Sequence, residues 1–351
     1  MLPFISVILP VRNERGMLPR LIDELLRQNY PADRFEILVI DGHSTDGTAD
    51  LVRRRYTNRE VRVQVLDNPA VHASAGRNIG IRNAVGEVIL FIDGHCTIPS
   101  RNLLEDTAAI LAQTGAGCLC RPEPLLAPSE THTGEVIAQV QGSEAARDER
   151  ICGFVDPVTG GATYRREVFA RVGLFDESFD ACEEVEFNTR VRKADIRAYT
   201  DPRLAVHYQP RRDVRALFHQ MLRRGRGRVR LMRKHADAVS KRELAPLAAL
   251  ATLAVTATAW VALPHTAAEI VSIPLTLLVA VILFASLRLG ARHGIGSAWK
   301  APRIYAAMYC GLGLGLFFEI LTPSRSMAVP MFEVLQPTPK VEEAEEMERA
   351  A

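Results

Sequence analysis

Asp93-Gly94-His95 follows an apolar run over residues 88–92 and sets a carboxylate and an imidazole either side of one glycine. Alternate residues share a side, so a turn here can aim both groups at one point. A carboxylate and an imidazole suit Mn2+ or Mg2+, with diphosphate oxygens and water completing the shell. Such an ion would neutralise charge building on a departing diphosphate. A second acid, Asp41, closes another apolar run over 36–40. Taken alone, an Asp-Gly turn and a strand-end cap account for these residues equally well.

Strands must hold those acids. Residues 4–10 and 36–41 are short apolar runs suited to buried strands, 61–66 alternates as a third, and 87–93 forms a fourth. Between them 18–26 carries helical spacing, Ser44-Thr45-Asp46 opens a second helix, and a third covers roughly 74–84. This alternation predicts an α/β domain with a mostly parallel sheet. Ligands of such sheets bind outside the carboxyl ends of the strands, which is where Asp41 and Asp93 fall. No GxGxxG or GxxxxGK[ST] is present, which argues against a dinucleotide enzyme and a P-loop NTPase. The six cysteines form no CxxC pair. Cys118 and Cys120 read as small core residues of a strand, and the α/β region reads as a reduced, cytosolic domain. The apolar start has no basic flank or cleavage site and is a buried strand, not a signal peptide.

Four segments then occur in order: Ile5-Ser6-Val7-Ile8-Leu9-Pro10-Val11-Arg12-Asn13-Glu14, Val39-Ile40-Asp41-Gly42-His43-Ser44-Thr45-Asp46-Gly47-Thr48, Ala75-Gly76-Arg77-Asn78-Ile79-Gly80 and Phe91-Ile92-Asp93-Gly94-His95-Cys96. They resemble the successive signatures of the family 2 glycosyltransferases, over about residues 4–235. The His variant of the metal motif, with an apolar C-terminal region, is most similar to the succinoglycan-type glucosyltransferases of exopolysaccharide assembly. The resemblance implies a GT-A (nucleotide-diphospho-sugar transferase) fold. It places Pro10, Asn13 and Glu14 around the nucleotide, Asp41 on the uracil or its ribose, and Arg77 on the nucleotide. Asp93 and His95 match the two ends of the family's DxD, so a divalent metal, Mn2+ or Mg2+, is expected on them.

Further along, Asp156-Pro157-Val158-Thr159-Gly160-Gly161 resembles the glycine-rich acceptor-side segment. Consecutive glycines let a backbone approach a sugar closely, and they also simply make turns. Cys182-Glu183-Glu184-Val185-Glu186 resembles the ED motif at the start of a helix beneath the acceptor. Acids in a first helical turn also stabilise the helix dipole. An inverting transfer needs a carboxylate to take the acceptor hydroxyl proton. With the family context Glu184 is expected as that base, with Glu183 its next best substitute. Gln220-Met221-Leu222-Arg223-Arg224 is similar to QxxRW with Arg in place of Trp, and implies Gln220 and Arg223 on the acceptor and diphosphate side.

Composition changes twice after this. Residues 211–242 hold twelve Lys/Arg against two acids, Asp213 and Asp237. The basic stretch fits a helix on anionic membrane lipid, and without interleaved aromatics beside an apolar span it is not expected to bind nucleic acid. Residues 244–268, 270–287 and 304–318 contain no Asp, Glu, Lys or Arg. About 20 apolar residues cross a hydrocarbon core, so about three transmembrane helices are expected, the third extending to Leu321 if Glu319 lies at the interface. Gly311 and Gly315 give that helix a GxxxG face for close packing. Arg288, Arg292, Lys300 and Arg303 between the second and third spans, and none between the first two, predict an in–out–in–out path.

The organisation expected is a cytoplasmic GT-A catalytic domain over 1–210, a basic interfacial segment over 211–243, a membrane region over 244–323, and an acidic, disordered tail over 324–351. The chain reads as a multi-pass inner-membrane enzyme. It is expected to move a hexose, glucose from UDP-glucose, onto a polyprenyl-diphosphate-linked glycan. A polyprenol-phosphate sugar transferase and a catalytically silent nucleotide-sugar-binding scaffold are the alternatives.

Overall fold

A computed structural model of the chain describes residues 2–57, 59–125, 131–145, 151–238 and 244–322. The first half alternates as the apolar runs require: β1 (Ile5–Val11), α1 (Leu18–Leu26), β2 (Phe35–Asp41), α2 (Thr48–Tyr56), β3 (Arg62–Asp67), α3 (Ala73–Asn83) and β4 (Val88–Phe91). Then come β5 (Cys96–Thr97), α4 (Leu103–Thr114), β6 (Cys118–Cys120), α5 (His132–Ala145), β7 (Gly153–Val155), β8 (Gly161–Arg165), α6 (Arg166–Val172), α7 (Glu183–Lys193), β9 (Ala198–Thr200) and β10 (His207–Tyr208). Four long helices follow: α8 (Val214–Lys234), α9 (Ala245–Ala262), α10 (His265–His293) and α11 (Ile295–Leu321).

Eight strands form one sheet in the order β3-β2-β1-β4-β8-β6-β9-β7. β3, β2, β1 and β4 run parallel, while β8 runs antiparallel to both neighbours and β7 to β9. β1 and β2 are continuous apolar strands because both faces are covered. One face packs on α1 and α4 through Leu21, Leu25, Leu104 and Leu111, and the other on α3, α6 and α7 through Ile81, Phe169 and Phe187. Cys118 and Cys120 are buried in that second core, as strand residues of one face should be. The chain departs from β1 toward β2 on one side and β4 lies on the other, so a crevice opens beyond their carboxyl ends.

Three local expectations shift. α2 begins at Thr48 and not at Ser44, because Gly47 at φ +81° breaks the backbone there and Asp46 accepts from the Thr48 amide. The basic segment forms α8 but does not lie free: it packs on α11. The GxxxG glycines explain the fit. A Cβ on Gly311 would lie 2.8 Å from the Phe218 carbonyl oxygen, and one on Gly315 would collide with that of Leu222. Glu319, expected at an interface, is buried and paired with Arg230 at 3.1 Å. α9, α10 and α11 are each long and apolar enough to cross a membrane. The acidic stretch beyond 323 lies outside the described residues.

Candidate active site

Beyond β4 the chain turns tightly, with the Cys96 amide donating to the Asp93 carbonyl at 3.0 Å, and β5 then pairs antiparallel with β10. Gly94 is needed at the centre of this turn, since a Cβ there would sit 2.8 Å from Val11 Cγ1. His95 Nδ1 lies 3.1 Å from Glu14 Oε1 and its ring meets Tyr208 edge-on at 4.8 Å. Among the described residues His95 Nε2 is buried without a partner. An imidazole with one nitrogen on a carboxylate and the other free is how a metal-binding histidine is oriented. Among the described residues no three His, Cys, Asp or Glu side chains converge on a point. A divalent ion would therefore take Asp93 and His95 from the protein and its remaining donors from diphosphate and water, which fits this pair.

Cys182, in the left-handed region at φ +64°, ends the preceding loop and starts α7, so that Glu183 and Glu184 open the helix facing the Asp93 turn. Arg77 on α3 joins the two halves. Its guanidinium bonds Glu183 and Glu184 and lies 3.5 Å from Asp93 Oδ1. It is buried between Phe91 and Phe175, 5.9 and 5.6 Å from the ring centroids. Arg77, expected on the nucleotide, is held by carboxylates at the floor of the cleft, since a buried cation must be paired.

The charges follow from this packing. Burial pushes the Glu184 carboxyl up to about 7; Arg77 works against the rise, and Asp93 and Glu183 add to it. Half of the Glu184 side chain is accessible (53%), and that surface opens into the crowded cleft. For Asp93 burial also acts upward, but Arg77, His95, Arg121 and Arg211 outweigh it and hold the carboxylate below its ordinary range. For His95 burial acts downward, and the Glu14 hydrogen bond with the Asp93 charge overrides it, raising the pKa.

These groups line a cleft of about 1070 Å3. Pro10, Glu14, Gly160, Gly161, Gln220 and Arg223 line it too. Gln220 Nε2 lies 3.3 Å from the Tyr208 hydroxyl, linking α8 to the His95 ring. Gly161 packs so close to α7 that a Cβ would meet Asn188 Oδ1 at 2.5 Å, and the Gly160 carbonyl accepts from the Arg121 amide at 2.9 Å. Asp41 caps its strand end, with Oδ2 accepting from the Ser44 amide at 3.0 Å, while Oδ1 is buried and, among the described residues, unpartnered.

Two residues expected around the nucleotide bond neighbouring protein groups. Asn13 binds the neighbouring loop, its amide donating to Ser44 Oγ and its Oδ1 accepting from the Thr45 amide, each at 2.8 Å. Glu14 directs its carboxylate to His95, and its amide donates to Thr48 Oγ1 at 3.0 Å. Both residues brace the loops around the cleft. Arg121 and Arg211, which no motif marks, also line it near Asp93. Arg121 follows β6, and only the sheet order brings it beside β4, where it donates to the Phe91 carbonyl at 2.6 Å.

Residues 6–173 match the family described as Glycosyl transferase family 2. The chain is 30% identical over 250 residues to the succinoglycan biosynthesis protein ExoA of Rhizobium meliloti (strain 1021), covering 69% of this chain and 74% of that protein. It is 24% identical over 250 residues, 66% of this chain and 74% of the other, to a dolichyl N-acetyl-alpha-D-glucosaminyl phosphate 3-beta-D-2,3-diacetamido-2,3-dideoxy-beta-D-glucuronosyltransferase of Methanococcus voltae. Among solved structures, the mannosyltransferase PcManGT of Pyrobaculum calidifontis, in complex with GDP-Man and Mn2+, is similar with a TM-score of 0.63 at 20% identity, over 92% of this chain and 89% of that one. At that identity the likeness speaks for the GT-A fold.

Proposed function

We propose, for a chain that belongs to glycosyl transferase family 2, that it transfers glucose from UDP-glucose, with inversion, to a polyprenyl-diphosphate-linked saccharide in exopolysaccharide assembly. One observation carries the reading: a single cleft holds the Asp93–His95 turn and the Glu183–Glu184 pair, with Arg77 in contact with Asp93 and both glutamates. The donor side and the acceptor side of a transfer would meet there.

In this reading the diphosphate lies against Asp93 and His95, with Arg223 and Arg224 of α8 facing its charge from the opposite wall. A divalent ion on Asp93 and His95 would supply charge neutralisation for the leaving UDP. The acceptor hydroxyl approaches from the Gly160–Gly161 side. Glu184 takes its proton as the oxygen bonds to the anomeric carbon and the bond from that carbon to the diphosphate oxygen breaks. A carboxyl with a pKa near 7 is matched to that task at neutral pH. Glu183, bonded to Arg77, holds the guanidinium in place.

The lipid-linked acceptor is supported by the three apolar helices that follow the cleft's α8 wall. The Methanococcus relative, named for a dolichyl-linked sugar phosphate acceptor, points the same way. The test is to incubate membranes holding the chain with UDP-[14C]glucose and extract the lipids. Label on an oligosaccharide diphosphate lipid is expected. Label on a monosaccharide phosphate lipid would replace the acceptor by polyprenyl phosphate, and no turnover with UDP-, GDP- or dTDP-sugars would sink the enzymatic reading.

A further inference from the structure

α11 is as apolar as a spanning helix, yet its contacts do not fit a crossing. A third of its apolar window is buried inside the protein, against 6% for α10. Near its start, Ser297 Oγ donates to Gln139 Oε1 at 2.7 Å and Lys300 Nζ lies 3.1 Å from His132 Nδ1, both on α5. Ala301 and Ile304 continue this contact in an apolar cluster with Val136 and Ile137 of α5 and Leu217 and Met221 of α8. Along its middle, Gly311 and Gly315 seat it on Phe218 and Leu222, and Gly225 of α8 faces Leu312 and Leu316.

Near the other end, Glu319 pairs with Arg230, and its carbonyl accepts from Arg233 at 2.9 Å. Arg230 in turn donates to the Ser178 carbonyl at 2.9 Å and to Asp180 at 2.6 Å, on the loop that leads into α7. Lys300 and Glu319 are separated by about 28 Å of helix at 1.5 Å per residue, close to the thickness of a hydrocarbon core. A helix crossing the bilayer would place these two residues on opposite faces. Here both are bonded to the module that carries the cleft. For α11 to cross, that module would have to sink with it, and α8 would carry its arginines to membrane depth, where charged side chains are strongly disfavoured.

We infer that α11 does not cross the membrane but lies along its surface as a strap behind α8, held at both ends by the catalytic module. α9 and α10 then form a hairpin that crosses and returns, and the chain leaves α11 at Thr322 on the side of the cleft. The charges agree: Arg288, Arg292, Lys300 and Arg303 lie where α10 returns to that side, while the α9–α10 turn at Leu263 and Pro264 carries none. This replaces the in–out–in–out path by one with an even number of crossings. The strap also closes the back of α8, whose other side presents Arg223 and Arg224 to the cleft.

The test reads topology on the full chain in sealed membrane vesicles of each orientation. An antibody to residues 340–351 detects the unaltered chain, a second antibody reports the catalytic module, and an epitope inserted between Leu263 and Pro264 reports the hairpin. Residues 340–351 and the catalytic module are expected to be accessible in the same vesicles, and the hairpin epitope in the opposite ones. Residues 340–351 accessible only opposite the catalytic module would overturn the strap. A hairpin epitope on the catalytic side would overturn the crossing of α9 and α10. Because the first antibody needs no alteration of the chain, a misfolded variant cannot produce either answer for the strap.

Discussion

At the scale of single residues, Arg77 decides how the acids behave. Its one guanidinium serves Glu183, Glu184 and Asp93, so three carboxylates share a cation, and Glu184, raised by burial with Asp93 and Glu183 beside it, keeps a pKa near 7. Only the deprotonated form can accept a proton, so transfer should be lost as the pH falls through about 7 and level off above about 8. Rates measured with saturating donor test this, and a flat profile from about pH 5.5 to 8.5 would exclude Glu184 as the titrating base. On the other side of Arg77, Asp93 and His95 form a two-donor set. Chelation should abolish turnover and added Mn2+ restore it, and His95→Ala should raise the Mn2+ concentration needed at least about 10-fold. Turnover unaffected by chelator would remove the metal from the account. Residue type and spacing alone left Asp93, His95, Glu183 and Glu184 open to bland readings; the ordered family signatures around them brought them forward. Side-chain partners were not readable in the same way: Asn13 and Glu14 sit within a nucleotide-site motif, and which protein groups they bond depends on loops that only the fold brings together.

At the scale of elements, β1, β2 and β4 announced themselves as apolar runs because both faces of that part of the sheet are covered, whereas the edge strand β3 alternates. The two-residue strands β5 and β10 carry no period, and they exist only because they pair with each other. α5 was invisible for a different reason: its apolar residues Val136, Ile137 and Val140 face α8 and α11, which lie far along the chain. α8 itself is the hinge of the arrangement. A Cβ on Gly225 would strike α11, and one on Gly227 would strike the Ala181 carbonyl of the turn that presents Glu183. Gly227→Val should therefore displace that turn and lower kcat at least about 10-fold with little change in donor binding. Equal loss of donor affinity would show that the turn is not what moved. Stability at the same junction rests on Glu186, fully buried against Arg190, Lys234 and His235. Arg190→Ala leaves that carboxylate short of a partner and should cost about 3 kcal/mol, read from denaturant unfolding. A loss below about 1 kcal/mol would mean that Lys234 and His235 suffice.

At the scale of the whole molecule, the cleft is walled by distant parts of the chain, among them the carboxyl ends of β1 and β4, the segment after β6, the Gly160–Gly161 turn, the start of α7, and α8. The apolar helical region that follows is built onto that last wall, so that it shares α8 with the cleft. Length and hydropathy announced three apolar helices, but not that one of them rests on the catalytic module along its whole length; that depends on glycines whose partners are about 90 residues away in sequence. The central claim is that this assembly brings a donor at Asp93 to an acceptor activated by Glu184. It is tested most directly by following label from UDP-[14C]glucose into extracted lipid with the full chain and with Glu184→Gln, while donor binding is measured on both. The account predicts that the variant binds donor within about 3-fold of the parent and transfers about 100-fold more slowly or worse. Transfer by Glu184→Gln at the parental rate would contradict it.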